Sequence, residues 1–108
     1  MEAEAAVVQS ISDQGWRVLE RNFRRRRGEI DIIALDGDTL VFIEVKARSS
    51  ELCGHGAEAL TGLKRSRIRR TALGFLAKHP HQGPIRFDVI YLDAETNHLE
   101  HLRDAFSE

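Results

Sequence analysis

Cysteine occurs once in this 108-residue chain, proline twice, and tryptophan, tyrosine and methionine once each. A lone thiol, Cys53, allows no intrachain disulfide framework, so an apolar core must hold the fold. No apolar run approaches the ~20 residues that span a bilayer, and no membrane association is expected. The N-terminus has no basic segment ahead of an apolar stretch and does not read as a signal peptide; a cytoplasmic protein is expected. A glycine-rich phosphate loop is missing, and Ser49-Ser50 has no histidine at a suggestive spacing, which argues against a serine nucleophile. Cys53, His55, His79 and His81 follow no zinc-ligand spacing, while His98 and His101 read as surface or packing residues. Repeats, low-complexity tracts and linkers are absent too.

What is present suits one ordered domain over residues 1–108, with 42% hydrophobic and 31% charged residues. The net charge of -1 gives no reason to expect a polyanionic partner. Its distribution does. Residues 17–70 hold 13 of the 16 Lys and Arg against 8 acids, whereas residues 1–16 and 71–108 each net -3. A basic middle between acidic ends can direct a polyanion to one surface.

Residues 3–14 read as a helix that stops at Asp13-Gln14-Gly15. A first strand runs from Trp16 to Phe23, with Trp16, Val18 and Leu19 as its apolar contacts, and four arginines, Arg24 to Arg27, follow it. Two more strands, Glu29 to Leu35 and Thr39 to Arg48, flank the turn signal Asp36-Gly37-Asp38. Residues 49–57 read as a loop. A helix from about Glu58 to Lys78 presents Leu60, Leu63, Ile68, Ala72, Phe75 and Leu76 as its apolar face. Pro80 ends that helix, a strand from Arg86 to Leu92 follows, and the tail from Asn97 to Phe106 has room for a short strand and a turn of helix. The order α-β-β-β-α-β implies an α/β fold with a mixed central sheet covered by helices. Ile30 to Ile33 and Leu40 to Val45 are too apolar for a sheet with a wet face.

Three ionisable residues interrupt these apolar strands: Asp31, Glu44 and Lys46. Strand side chains alternate, so Glu44 and Lys46 project from one face. A two-residue Gly37-Asp38 loop puts Asp31 directly opposite Glu44. An Asp36-Gly37 loop puts it diagonal to Glu44, and a three-residue loop needs a bulge to restore the arrangement. Carboxylates directly across a strand pair, ~5 Å apart, repel by about 3 kcal/mol at an effective dielectric near 20. Something positive belongs between them, either Lys46 or a divalent cation; hard oxygen ligands with a position left for phosphate suit Mg²⁺. The plain alternative places Glu44 and Lys46 in water on an exposed face.

Gly28-Glu29-Ile30-Asp31, a hairpin, and Glu44-Val45-Lys46 together resemble the PD-(D/E)xK nuclease signature in its Holliday-junction-resolvase variant. The chain also resembles the bacterial YraN family nearly end to end. The matching segments are Glu4, Arg21-Asn22-Phe23-Arg24, Gly28 to Asp31, Ile43 to Arg48, and Arg86 to Val89; Ala3 stands where relatives usually carry glycine. This resemblance implies a restriction-endonuclease-like three-layer α/β/α fold. It implies that Asp31, Glu44 and the Val45 carbonyl bind Mg²⁺ or Mn²⁺, and that Lys46 positions or activates the attacking water. Glu29 and Glu4 become auxiliary acids near the site.

Beside such a site, Arg24, Arg25, Arg26 and Arg27, together with Arg48, Lys64, Arg67 and Arg70, are candidate phosphate contacts. Lys64, Arg67 and Arg70 fall at intervals of three and share a helix face. The expected function is metal-dependent hydrolysis of phosphodiesters in nucleic acid, with branched or single-stranded DNA as the expected substrate and, by analogy with resolvases, a homodimer. Two alternatives remain open: an adaptor that binds nucleic acid without cutting it, and an interaction module whose strand charges form a structural salt bridge.

Overall fold

The computed structural model describes residues 2–26, 28–48 and 62–105, and at Arg48 the backbone alone. Its elements are α1 (Ala3–Asp13), β1 (Arg17–Arg25), β2 (Gly28–Asp36), β3 (Thr39–Arg48), α2 (Gly62–Lys78), β4 (Ile85–Asp93) and β5 (Leu99–Leu102). The expected loop with Cys53 and His55, the first turn of the expected second helix, Arg27 and Phe106 lie outside the described residues. The tail supplies a fifth strand, and residues 103–105 form a turn instead of the expected helical turn.

The strands form one sheet in the order β1-β2-β3-β4-β5. Only β3 and β4 run parallel, as the α2 crossover between them requires. The β2–β3 hairpin adopts the first of the anticipated registers, with Asp36 opposite Thr39 and Leu35 opposite Leu40. Gly37 takes φ 61 at the first loop position, where a side chain would be strained.

The central strands β2, β3 and β4 are dry on both faces. On one side Val7 and Ile11 of α1 pack with Ile32, Ala34, Val41, Ile43 and Ile90. On the other, Ile68, Ala72 and Phe75 of α2 pack with Ile30, Leu40, Phe42, Val89 and Tyr91. Neighbouring residues of β3 and β4 thus go to opposite helices, the period-2 pattern of a strand buried on both sides. The result is a mixed α/β fold with one helix against each face. Leu63, expected on the buried face of α2, is instead 63% exposed. It sits in the first described turn of the helix.

Gly28 explains how closely α2 lies on the hairpin end. A Cβ there would fall 2.2 Å from Thr71 Oγ1 and 3.2 Å from the Arg67 carbonyl oxygen. Only hydrogen fits that gap.

Candidate functional site

In β2 the strand alternation fails at one place, and the site lies there. Ile32 packs toward α1, yet Ile30, two residues earlier, packs toward α2. Across the sheet in β1, between Arg21 and Phe23, Asn22 adopts a left-handed φ of 53. The β2–β3 ladder stops at Ile32 and Ile43, while β2 continues with β1 to Gly28 and β3 continues with β4 to Arg48. The strands fork, and α2 roofs the opening. A cavity of about 410 Å³ fills it, bordered by Glu29, Asp31, Glu44, Lys64 and Arg67 among others.

In the fork, the Val45 N–H donates to Asp31 Oδ2 at 2.8 Å. That bond satisfies a β3 amide beyond the end of its ladder with β2. Burial pushes the Asp31 carboxyl up from 3.8 to about 6; the Val45 N–H opposes this, and the charges of Glu44 and Glu29 reinforce it. The site is thus short of positive charge around Asp31, as expected for crowded carboxylates.

Glu44 is nearly covered, its side chain 11% exposed, and Lys64 Nζ lies 3.2 Å from its Oε2. Lys64 is held above the ordinary lysine value by its interaction with Lys46 and by the carboxylates of Glu44 and Asp31, against the effect of burial. Lys46 thus lies close to the helix lysine that pairs with Glu44. Glu29 lines the cavity and takes Arg24 Nε at 3.4 Å, so Arg24 is engaged with an acid at the rim.

Glu4 approaches from α1. Burial raises its carboxyl above the ordinary value, with Asp31 and Glu2 adding to the effect, against Arg21 and a hydrogen bond from Asn22. Arg21 holds Glu2 at 2.7 Å and Glu4 at 3.6 Å, which ties the helix start to β1. Arg67 borders the fork cavity, whereas Arg25, Arg26 and Arg70 line an adjoining one that Arg67 also borders. The Lys64, Arg67, Arg70 face thus runs from one cavity to the next. Arg27 and the Arg48 side chain lie outside the described residues.

Among the described residues no three His, Cys, Asp or Glu side chains gather as a metal cage. Two carboxylates with open space in front of them suit an ion that takes only one or two protein carboxylates and completes its shell with water and phosphate. On donor chemistry, Asp31 and Glu44 fit Mg²⁺.

A second polar centre was not anticipated. Asp88 is completely buried in β4 and accepts from Arg86 at 2.9 and 3.0 Å and from the Asp104 N–H at 2.9 Å; His101 Nε2 lies 2.7 Å from its Oδ2. Arg86 also reaches Asp36, and its guanidinium lies 5.3 Å from the Trp16 ring centroid. Burial pushes the Asp88 carboxyl up, but His101, Arg86 and the Asp104 N–H outweigh it and hold it below the usual range. The centre fastens the C-terminal segment to the sheet. The signal for it was an aspartate inside the apolar run of β4.

The profile of the uncharacterised protein family UPF0102 matches residues 3–92. This chain belongs to UPF0102. The resemblance to YraN proteins, which are this family, is thereby borne out. A UPF0102 protein of Parafrankia sp. is 48% identical over 107 residues, covering 95% of this chain and 91% of its own. One from Chlorobium phaeobacteroides is 46% identical over 114 residues, covering 97% and 90%. Another, from Nitrosomonas europaea, is 41% identical over 108 residues, covering 99% and 92%. The UPF0102 profile takes in every element that builds the fork, from α1 through β4.

Proposed function

We propose that this UPF0102 chain is a metal-dependent endonuclease-like protein with a restriction-endonuclease-like fold, hydrolysing phosphodiesters in nucleic acid, with DNA as the substrate. The observation that carries this reading is the fork. It collects Asp31, Glu44 and Lys64 in one partly open cavity, with Lys46 against Lys64 and an arginine strip alongside.

Asp31, Glu44 and the Val45 carbonyl would hold Mg²⁺ or Mn²⁺. Such an ion supplies a more acidic bound water and neutralises charge on the phosphate. Lys46, two residues past Glu44 on the same strand face, orients the attacking water and places positive charge against the oxygens of the reacting phosphate. Lys64 holds Glu44 in place and adds a second cation on the helix side. Arg67 anchors the strand next to the reacting bond, the positioning on which phosphoryl chemistry chiefly depends.

The Lys64–Glu44 ion pair favours a second reading, because it already compensates one of the two carboxylates. In that reading the chain binds nucleic acid without cutting it. A labelled panel of duplex, single strand, flap, four-way junction and RNA, incubated with Mg²⁺ or Mn²⁺, separates the two. Metal-dependent cutting lost in folded Asp31→Asn and Glu44→Gln proteins is the expected result. Binding without turnover, or equal cutting by the variants, refutes the nuclease.

A further inference from the structure

Beside the fork lies a cavity of about 330 Å³ lined by Arg25, Arg26, Arg67, Arg70, Thr71 and Gly74. Its four guanidiniums come from two elements, the end of the β1–β2 hairpin and the middle of α2. Among the described residues none of the four pairs with a carboxylate. Their neighbours behave differently, since Arg24 is paired with Glu29 and Lys64 with Glu44. Four like charges held together repel, and an anion among them removes the repulsion.

Two glycines build the arrangement. Gly28 lets the hairpin end press on α2 at Thr71, and Gly74 leaves room for Arg25 to lie across the helix, since a Cβ at Gly74 would come 2.9 Å from Arg25 Nε. Arginine forks match phosphate oxygens in pairs. A phosphodiester offers one charge and two free oxygens. A terminal monoester offers three oxygens and a charge of about -1.5 to -2 near neutral pH, a better match to four guanidiniums. Arg67 borders both cavities, so a strand whose end sits among the arginines brings its adjoining backbone to Asp31 and Glu44.

We propose that the arginine cavity binds the terminal phosphate monoester of a nucleic-acid strand and sets the distance from that end to the bond at the fork. The proposal rests on the nuclease reading for what happens at the fork, but binding of the end is measurable without turnover. The test is fluorescence anisotropy in EDTA with a short oligonucleotide labelled on an internal base. It carries a 5′-phosphate, a 3′-phosphate or no terminal phosphate, and the first two arms tell which end is recognised.

One phosphorylated form is expected to bind at least ~10-fold tighter than the unphosphorylated strand, equivalent to ~1.4 kcal/mol. Arg70→Gln, at an exposed position, should abolish that preference. Gly74→Ala, which displaces Arg25 and keeps every charge, should shrink it. Asp31→Asn should keep it. Equal affinity for all three strands in the wild type, or a preference that survives in an Arg25→Gln/Arg70→Gln protein, overturns the proposal. Metal-dependent cutting without end preference leaves the nuclease standing and this site refuted. An arginine-dependent end preference in a protein that cuts nothing does the reverse.

Discussion

Replacing Asp31 by asparagine should make the protein more stable near pH 8. The Asp31 carboxyl is pushed up from 3.8 to about 6, first by burial, with Glu44 and Glu29 adding to it and the Val45 N–H opposing. Between these values the folded chain holds a proton that the unfolded chain has released, so stability falls as pH rises from about 4 through 6. The full displacement corresponds to about 3 kcal/mol at roughly 1.4 kcal/mol per pH unit. Solvent in the cavity screens the charge and reduces this to roughly 1–2 kcal/mol. Asparagine removes the charge and keeps an oxygen for the Val45 N–H. Urea titration in EDTA measures the difference through Trp16, the single tryptophan, which is 7% exposed. The variant should exceed the wild type by that amount near pH 8, and the two should converge near pH 4. Adding Mg²⁺ should then stabilise the wild type and leave the variant unchanged, because only a ligand of the folded state shifts the equilibrium. A variant less stable than the wild type near pH 8, or a gap independent of pH, refutes this account of the fork.

Gly28→Ala should cost about 1–3 kcal/mol in the same titration, since its Cβ meets Thr71 and the Arg67 carbonyl; an unchanged midpoint would show that α2 does not press on the hairpin. Asp88→Ala should cost about 3–5 kcal/mol by leaving Arg86 and His101 facing a hole. Because the Asp88 carboxyl is held below the usual range, its contribution is complete above about pH 4 and fades as pH falls below that; acid unfolding no different in Asp88→Asn would contradict the assignment. Arg67→Ala should lower the slope of log affinity against log salt for nucleic acid by about 1, which a salt series checks directly. Light scattering should give twice 12.3 kDa for the expected homodimer, and a mass near 12.3 kDa refutes it.

Much of the site was legible because hairpin arithmetic is local. With Gly37-Asp38 as the loop, the register follows by counting as far as Ile32 and Ile43. The expected direct pairing of Asp31 with Glu44 is not formed, because the ladder stops one pair short and the two carboxylates border a cavity instead. The two dry faces followed from the same alternation, read from the apolar runs of β2 and β3. What periodicity could not convey depends on contacts between distant segments. Leu63 fits the helical stripe, yet it is exposed at the border of the fork cavity. Asp88 looked like one strand charge among others, and only the return of the tail, which brings His101 and the Asp104 amide to it, makes it a buried centre.

The fork itself belongs to that second class, and it joins stability to function. A β2 strand that kept perfect alternation would turn Ile30 toward α1 and carry the ladder with β3 past Asp31. The Val45 amide would then bond to the opposite strand, and no open space would remain in front of the carboxylates. Instead β2 follows β1 away from β3, with Asn22 taking the left-handed conformation that an asparagine tolerates better than most residues. The divergence leaves one amide to be satisfied by a side chain, and Asp31 does so at the cost of a buried, crowded carboxyl. A chain selected for stability alone would place asparagine or a neutral residue at that point. An ionisable aspartate held there by an irregular strand is the arrangement expected of a site that waits for positive charge from outside the chain.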